Sequence, residues 1–452
     1  MRRRHATRRA LLAAATAASF ALAGCASRAG GAGEVAEAAE PTEQRAASAG
    51  AAAGASPRGE SAAAATTAEQ SWNRLDLLDH LAAIGGPESR WDGLASAQSY
   101  GLLQRALEEM RQLVLHDAAS EQEAAEGLRM LLKVFAMAVD DSLHGDLANP
   151  LFRKLDPRWR DVGAYNPDAE YDQAWIDGRY DYRLSGNLGG ARYVSVTVNG
   201  QAPNASSRLV AYLDDATLRA AADAAGDFTV WLTKAKPAAP GLWIALPETA
   251  DGVVIRQYLA DRAHEPLATF SIEAVGARRP PKGPMRDEEI ARRIATVATY
   301  LVVNSTWHRT LMPYAMEKPN QFFDRAGTTI GGNVANNENL YHMAHYQLGP
   351  DEALVVDFVP PQSPFWNLTA ASLWHESERF LTDPVSRTLA EVTPRADGSI
   401  RFVLADRDPG LPNWIDTFEH RRGFLILRMV GVASHPLPVV RRVAWKDVAS
   451  LD

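Results

Sequence analysis

Apolar positions along this chain follow two periods in succession. Leu102, Leu103, Ala106, Leu107, Met110, Leu113 and Val114 recur at helical spacing, and Glu121 to Leu143 continues with Leu128, Leu131, Leu132, Phe135, Met137 and Val139. Both stretches read as helices with one face on a core. From about Tyr171 the period becomes two. Asp181 to Ser185 and Tyr193 to Val198 flank Gly186-Asn187-Leu188-Gly189-Gly190, a pattern that predicts a hairpin. Further strands are predicted over Asp227 to Thr233, Leu242 to Leu246, Val253 to Tyr258 and Leu267 to Val275. A helix over Asp287 to Val303 interrupts them, with Asp287 placed to cap it and Ile290, Ile294, Val297 and Leu301 on one face. Strands resume at Tyr341 to Leu348, Ala353 to Val359, Phe365 to Leu373, Ser399 to Ala405, Phe424 to Val430 and Val439 to Ala444, with Asp397-Gly398 as a turn before one of them.

Short strands separated by turn signals imply antiparallel sandwiches or jelly rolls. The fold class is therefore α+β and mainly β, with tandem sandwich-like domains, an N-terminal helical region and an inserted helix. The expected organisation is a helical region at 71–160, a first β domain at 161–285, and a linking helix with a second β domain at 286–452.

What precedes residue 71 has another character. Arg2, Arg3, Arg4, Arg8 and Arg9 form a basic start, Leu11 to Leu22 is apolar, and Ala23-Gly24 are small residues at a cleavage position. The apolar run falls short of the about 20 residues a membrane span needs. Residues 1–24 thus read as a signal peptide, and Thr7-Arg8-Arg9-Ala10-Leu11-Leu12 resembles a twin-arginine export motif. Leu22-Ala23-Gly24-Cys25 resembles a bacterial lipobox, in which the Cys25 thiol takes diacylglycerol. Acyl chains contribute about 0.8 kcal/mol per buried CH₂, so several make a stable anchor. The stretch 25–70 is the lipidated cysteine and a tether almost wholly of Ala, Gly, Ser, Thr, Glu and Pro without an aromatic residue. As a flexible coil it reaches roughly 35–40 Å. The expected location is outside the cytoplasm, anchored to a membrane by lipid and facing the periplasm or cell exterior.

Charge and cysteine usage narrow the functions. Cys25 is the only cysteine, so the chain has no internal disulfide, no cysteine cluster for zinc and no second thiol nucleophile. Loss of residues 1–24 removes five arginines and no acids, leaving 42 basic against 55 acidic residues, a net −13. Such acidity argues against nucleic acid as a partner, since that affinity comes mainly from phosphate neutralisation.

Several motifs point to a family. Glu123-Ala-Ala-Glu-Gly127, Tyr165-Asn-Pro-Asp168, Ile176-Asp-Gly178 and Ile255-Arg-Gln-Tyr258 come first. Leu348-Gly-Pro-Asp-Glu-Ala-Leu354, Phe365-Trp-Asn-Leu368, Leu373-Trp-His-Glu-Ser377, Asp408-Pro-Gly-Leu-Pro-Asn-Trp-Ile-Asp416 and His420-Arg-Arg-Gly423 follow. With these the chain resembles the bacterial family called domain of unknown function 1214 over most of 120–452. The resemblance implies tandem β-sandwich, jelly-roll-like domains with helical insertions. It brings no settled chemistry and so assigns no catalytic residue.

Signatures of phosphate loops, dinucleotide folds, elbow-type serine hydrolases and His-Glu-x-x-His metalloenzymes are absent, so no cofactor is expected. Polar and aromatic residues instead concentrate in 337–421. His345, Glu376, Asp416 and His420 are the candidates for acid–base work, because a carboxylate tunes a neighbouring imidazole. Asn339, Tyr341, Trp366, Asn367, Trp374, Asn413 and Trp414 are candidates for contact with a ligand, joined by Arg256 and Tyr258 from an earlier strand. Tryptophan and tyrosine offer flat apolar surfaces with a polar edge, suited to sugars, sterols or aromatic compounds. The bland alternative is that the tryptophans are sandwich core and that 408–413 is a rigid turn. No ligand spacing supports a metal at His345, Glu376 and His420. Two readings remain open: a lipoprotein binding a bulky apolar, aromatic or carbohydrate-like ligand, and a cofactor-independent, hydrolase-like envelope enzyme using a His/carboxylate pair. The expectation tested below is that Trp366, Glu376, Asp416 and His420 converge on one cavity.

Overall fold

The computed structural model describes residues 90–451 apart from 144, 156–161, 164–165, 202–206, 281–282, 311–312, 325–338, 378 and 381. The expected signal peptide, Cys25 and the expected tether lie outside the described residues. Ala95–Asp452 falls within one compact unit. Of Ser27–Leu94, residues 90–94 are described and make a turn.

The predicted helices form as expected: α1 spans Ala95–Asp117 and α2 spans Glu121–Leu143. A short α3, Asp215–Ala221, follows within the strands, and the interrupting helix is α4, Asp287–Asn304. Asp287 does not cap its own helix. Its carboxylate accepts hydrogen bonds from the backbone of Ala95 (2.8 Å) and Ser96 (3.1 Å), so it caps α1 from 192 residues away. Free N–H groups of any helix start suit a carboxylate, and the nearer start in sequence was not the one in reach.

The first sandwich packs two sheets. One runs in the order β1 (Arg153–Lys154), β2 (Ala169–Trp175), β8 (Ala250–Tyr258), β4 (Tyr193–Gln201) and β5 (Ser207–Leu213). The other runs β7 (Leu242–Ala245), β6 (Asp227–Thr233), β3 (Asp181–Asn187) and β9 (Thr269–Val275). Val194, Val196, Val198, Val253 and Ile255 meet Tyr182, Leu184, Val230, Leu232 and Ile272 between them. The predicted hairpin is not made: β3 pairs with β6 and β9, whereas β4 pairs with β5 and β8. The glycine-rich link carries the chain from one sheet across the sandwich to the other, with Leu188 buried in the shared core. Leu188 is the apolar residue that a simple exposed turn would not need.

The second sandwich repeats the plan. Its sheets are β10 (Phe322–Asp324), β11 (Asn339–Gln347), β17 (Arg422–Val430), β13 (Trp366–Ser372), β14 (Ser386–Thr388), and β16 (Trp414–Asp416), β15 (Ile400–Ala405), β12 (Glu352–Phe358), β18 (Val439–Ala444). Pairing is antiparallel except for two edges, β6 with β7 and β15 with β16, which run parallel. Leu425, Leu427 and Met429 of β17 face the sandwich core, while Phe424 and Ile426 face the helices. The outer face of the β10–β14 sheet is thus covered at one end by the helical layer. At its other end Val430 and Phe365 meet Tyr193, Tyr171 and Tyr258 of the first sandwich.

Candidate functional site

The residues singled out from sequence fall into four places. Arg256, Tyr258, Asn339, Tyr341 and Asn367 lie where the two sandwiches touch. Tyr258 stacks on Phe365 (4.8 Å between rings), and Asn339 donates to the hydroxyls of Tyr258 (2.7 Å) and Tyr341 (3.0 Å). Arg256 donates to Thr197 Oγ1 at 2.6 Å, and Asn367 donates to Asn166 and to the Asp168 carboxylate, itself paired with Arg262. Trp366 is elsewhere, in the core of the second sandwich and edge-on to Phe358. Trp374 lies in the helical core and donates to the Glu123 carbonyl of α2. Asn413, at φ +59°, braces a turn by bonding both backbone groups of Thr393 and the Arg401 carbonyl, and Trp414 donates to the Ala405 carbonyl.

The expected histidine–carboxylate pair exists, with a different partner. His420 Nε2 meets Glu126 of α2 at 2.8 Å, while Nδ1 faces the Thr417 carbonyl at 2.9 Å. Both neighbours are acceptors, so the ring donates from both nitrogens and is an imidazolium. Burial opposes that charge, but Glu126 outweighs it and raises the His420 pKa. Glu376, fully buried, is bound by Arg129 and Lys133, again from α2. Asp416 accepts from the Phe418 backbone, and burial raises its pKa. His345 is buried beside Phe424 with both ring nitrogens unpartnered, and burial pushes its pKa down to about 4. None of Trp366, Glu376, Asp416 and His420 lines the cleft described next. Glu376 and His420 turn toward α2, where Lys133 and Glu126 meet them, while Trp366 lies in the core of the second sandwich.

An open cleft of about 1040 Å³ lies at the far end of the outer face of the β1–β5 sheet. The end of α2, the tip of β2, the start of β8 and α4 enclose it, and a recess of about 190 Å³ adjoins it at Asp141, Gln173 and Trp175. Its floor is set by Gln173 and by the row Trp175, Gly252 and Asn199 across the sheet. The β4 ladders shift register on either side of Asn199, a local irregularity that re-aims a side chain at the end of a strand. Gly178 lets the chain close over this end, since a Cβ there would stand 1.9 Å from the Pro247 carbonyl oxygen.

Polar chemistry converges on the floor. Ser142, Gln173 and Asn199 line the cleft, and their Oγ, Oε1 and Oδ1 atoms are buried with no hydrogen-bond partner among the described residues. Such groups are rare in folded proteins and mark places where something else supplies the bond. Asp141 and Asp251 line the same space. Burial pushes Asp141 up to about 7 and Asp251 up to about 6; Arg153 pulls the first back and Arg292 the second. Asp140 and Asp141 also stand in the last turn of α2, which has no basic residue, where the helix dipole disfavours negative charge. On the opposite wall Arg292 and Arg293 share Glu289. The sequence reading missed this site. Its legible signals were two acids at a helix C-terminus and Ile176-Asp-Gly178, which lies at the cleft mouth. Among the described residues no group of three or more His, Cys, Asp or Glu is placed to hold a metal ion.

Fold and site together define a two-sandwich β protein with a helical layer and a large open cleft. Residues 335–433 match the family described as "Protein of unknown function (DUF1214)", and this stretch belongs to it, as its motifs indicated. An uncharacterized protein from Burkholderia cenocepacia has the same fold, with a TM-score of 0.72 and 25% identity over 80% of this chain and 100% of that one. The VPA0106 protein from Vibrio parahaemolyticus aligns over 69% of this chain and 96% of that one at 11% identity, and its TM-score of 0.41 carries no argument. No functionally curated protein matches the chain. The family stretch covers most of the second sandwich, all but β10 and β18, whereas the residues lining the cleft lie between 141 and 296.

Proposed function

We propose that this chain is a cell-envelope lipoprotein whose β body binds a hydroxyl-rich, carbohydrate-like compound in the cleft. The observation that carries the reading is that three residues lining a large open cleft, Ser142, Gln173 and Asn199, hold buried oxygens with no hydrogen-bond partner among the described residues. Sugar hydroxyls donate to such acceptors. The Trp175 indole, tied by Nε1 to the Asp141 carbonyl, and Tyr180 provide apolar surface for the C–H face of a ring. The cleft volume sits at the upper end of the about 300–1,000 Å³ typical of small-molecule sites, enough for more than one sugar unit. The tether supplies reach from the membrane.

Calorimetry of the full chain in detergent against cello-, malto- and chito-oligosaccharides and muropeptides tests the ligand class. At least one is expected to bind, and Asn199→Ala or Gln173→Ala to weaken it about tenfold, the cost of a lost hydrogen bond. Variants that bind like the parent place the ligand elsewhere; no binding by any compound removes the reading. Anchoring is tested separately by labelling cells with a fatty-acid probe. Cys25→Ser is expected to abolish the label, and equal labelling of both proteins sinks the lipid anchor.

A further inference from the structure

We propose that the cleft also hydrolyses its ligand, cleaving a glycosidic bond with Asp141 as general acid and Asp251 as general base. The inference rests on the binding reading above and gives that site a reaction. Backbone geometry fixes the two acids about one strand tip. Trp175 Nε1 donates to the Asp141 carbonyl at 2.5 Å, and the next residue, Ile176, donates its N–H to the Asp251 carbonyl at 3.1 Å. Both acids line the same open cleft beside the Trp175 indole. The most deeply buried acids are matched to cations, Glu376 to Lys133, Asp168 to Arg262 and Glu123 to Arg422, whereas Asp141 and Asp251 are half-buried. Neither Asp141 nor Asp251 is in an ion pair among the described residues. Leaving two acids unmatched, one of them at a helix C-terminus, opposes stability, and such departures from local preference cluster where function requires them.

The step balances with water as the only co-reactant. The Asp141 carboxylic acid gives its proton to the glycosidic oxygen as the bond from that oxygen to the anomeric carbon breaks. A water forms the new bond to that carbon and loses a proton to the Asp251 carboxylate. Exchange with solvent then returns the proton to Asp141 and removes it from Asp251. The charged groups around the pair are Asp140 and Arg153 beside Asp141 and Arg292 beside Asp251, with Asp146, Lys154, Asp177, Arg179, Glu248, Glu289 and Arg293 also lining the cleft or its recess. Burial holds the proton on Asp141 to about pH 7 and on Asp251 to about pH 6, so one protonated and one ionised acid coexist between these values.

The test incubates the full chain with the same oligosaccharides and muropeptides and follows products by mass spectrometry and anomeric NMR, with binding measured in parallel. Cleavage of a bound compound is expected, with a bell-shaped pH profile centred between pH 6 and 7 and inversion at the anomeric carbon. Asp141→Asn and Asp251→Asn are expected to lose about 100-fold or more, mainly in kcat, with melting temperatures checked to exclude unfolding. A compound that binds in the cleft and stays intact overturns the reaction and leaves the binding reading standing. Turnover by either Asn variant at the parent rate, or retention in place of inversion, overturns the assigned roles. Absence of any binding removes the binding reading first.

Discussion

Glu376 illustrates how a buried charge is held. Its carboxylate is out of water, with Lys133 Nζ at 2.6 Å and the half-exposed Arg129 at 3.1 Å. Removing one member of a buried pair costs about 3–5 kcal/mol, because the partner is left uncompensated. Glu376→Ala is expected to cost about 3 kcal/mol, the lower figure because Arg129 turns readily to water. Denaturant unfolding checks this, and ligand binding in the cleft should not change; loss of binding at unchanged stability would return Glu376 to the functional site. His420 offers a pH-resolved test of the same helix contact. Its pKa is raised in the fold, so the Glu126 pair stabilises fully below the unfolded value of about 6.5 and fades as pH rises through the higher folded value. The melting-temperature difference between the parent and Glu126→Gln should therefore shrink from pH 6 to pH 9. A constant difference would mean that the pair carries no charge. At this scale residue types were legible and partners were not. A histidine near carboxylates was evident in the sequence, yet Glu126 lies 294 residues from His420.

At the scale of elements, period alone located α1, α2, α4 and most strands, because each buries one continuous face. β11, β12, β13, β15, β17 and β18 fall within a residue or two of their predicted bounds. The short strands β10, β14 and β16 were missed, since three residues carry no period. Pairing was less legible, as the β3–β4 link shows: a glycine-rich turn reports that the chain bends, not which sheet it enters. Helix docking holds a sharper test. Gly127 lies on the buried face of α2, and a Cβ there would stand 2.4 Å from Val114 and 2.7 Å from the Trp374 indole. Alanine gains about 1 kcal/mol of helix propensity over glycine, but overpacking costs about 1–3 kcal/mol. Gly127→Ala is expected to destabilise the protein. Gly101→Ala on α1 meets only the end of Arg105 at 3.7 Å and should stabilise by about 0.5–1 kcal/mol. Equal effects of the two changes in thermal unfolding would show that α2 is not packed this closely.

For the whole molecule, the cleft is a product of assembly. Asp141 ends a helix, Trp175 ends one strand, Asp251 begins another, and Arg292 rides on α4. No segment carries enough of the site to declare it, whereas the C-terminal motifs are dense in polar and aromatic types because they brace sheet against helix. Carboxylates of opposite environment also shape the stability of the entire fold. Asp117, Glu123, Glu126, Glu289 and Asp357 have pKa values held down by cationic partners despite burial, so their stabilisation is present above about pH 4 and lost as pH falls through the folded values. Asp141 and Asp251 act in the other sense. Between an unfolded value near 4 and folded values of about 7 and about 6, the folded state keeps protons that the unfolded state has released. The contribution of these two acids to stability falls as pH rises through that window. The buried His308, His342, His345 and His375, whose pKa values burial lowers, contribute the opposite slope up to their unfolded value of about 6.5. His420 adds a decline above its unfolded value of about 6.5. The expected profile has an acid limb set by the paired carboxylates and a neutral limb in which the fall from the cleft acids opposes the rise from these histidines. Calorimetric scans from pH 3 to 8 on the parent and on Asp141→Asn/Asp251→Asn check this. The double variant should keep the acid limb, because its cationic pairs are untouched, and should lose less stability between pH 5 and 7, because an amide has no proton to release. An identical neutral limb would mean that the two acids ionise in the fold as readily as in water, and the proposed division of acid and base between them would lose its physical basis.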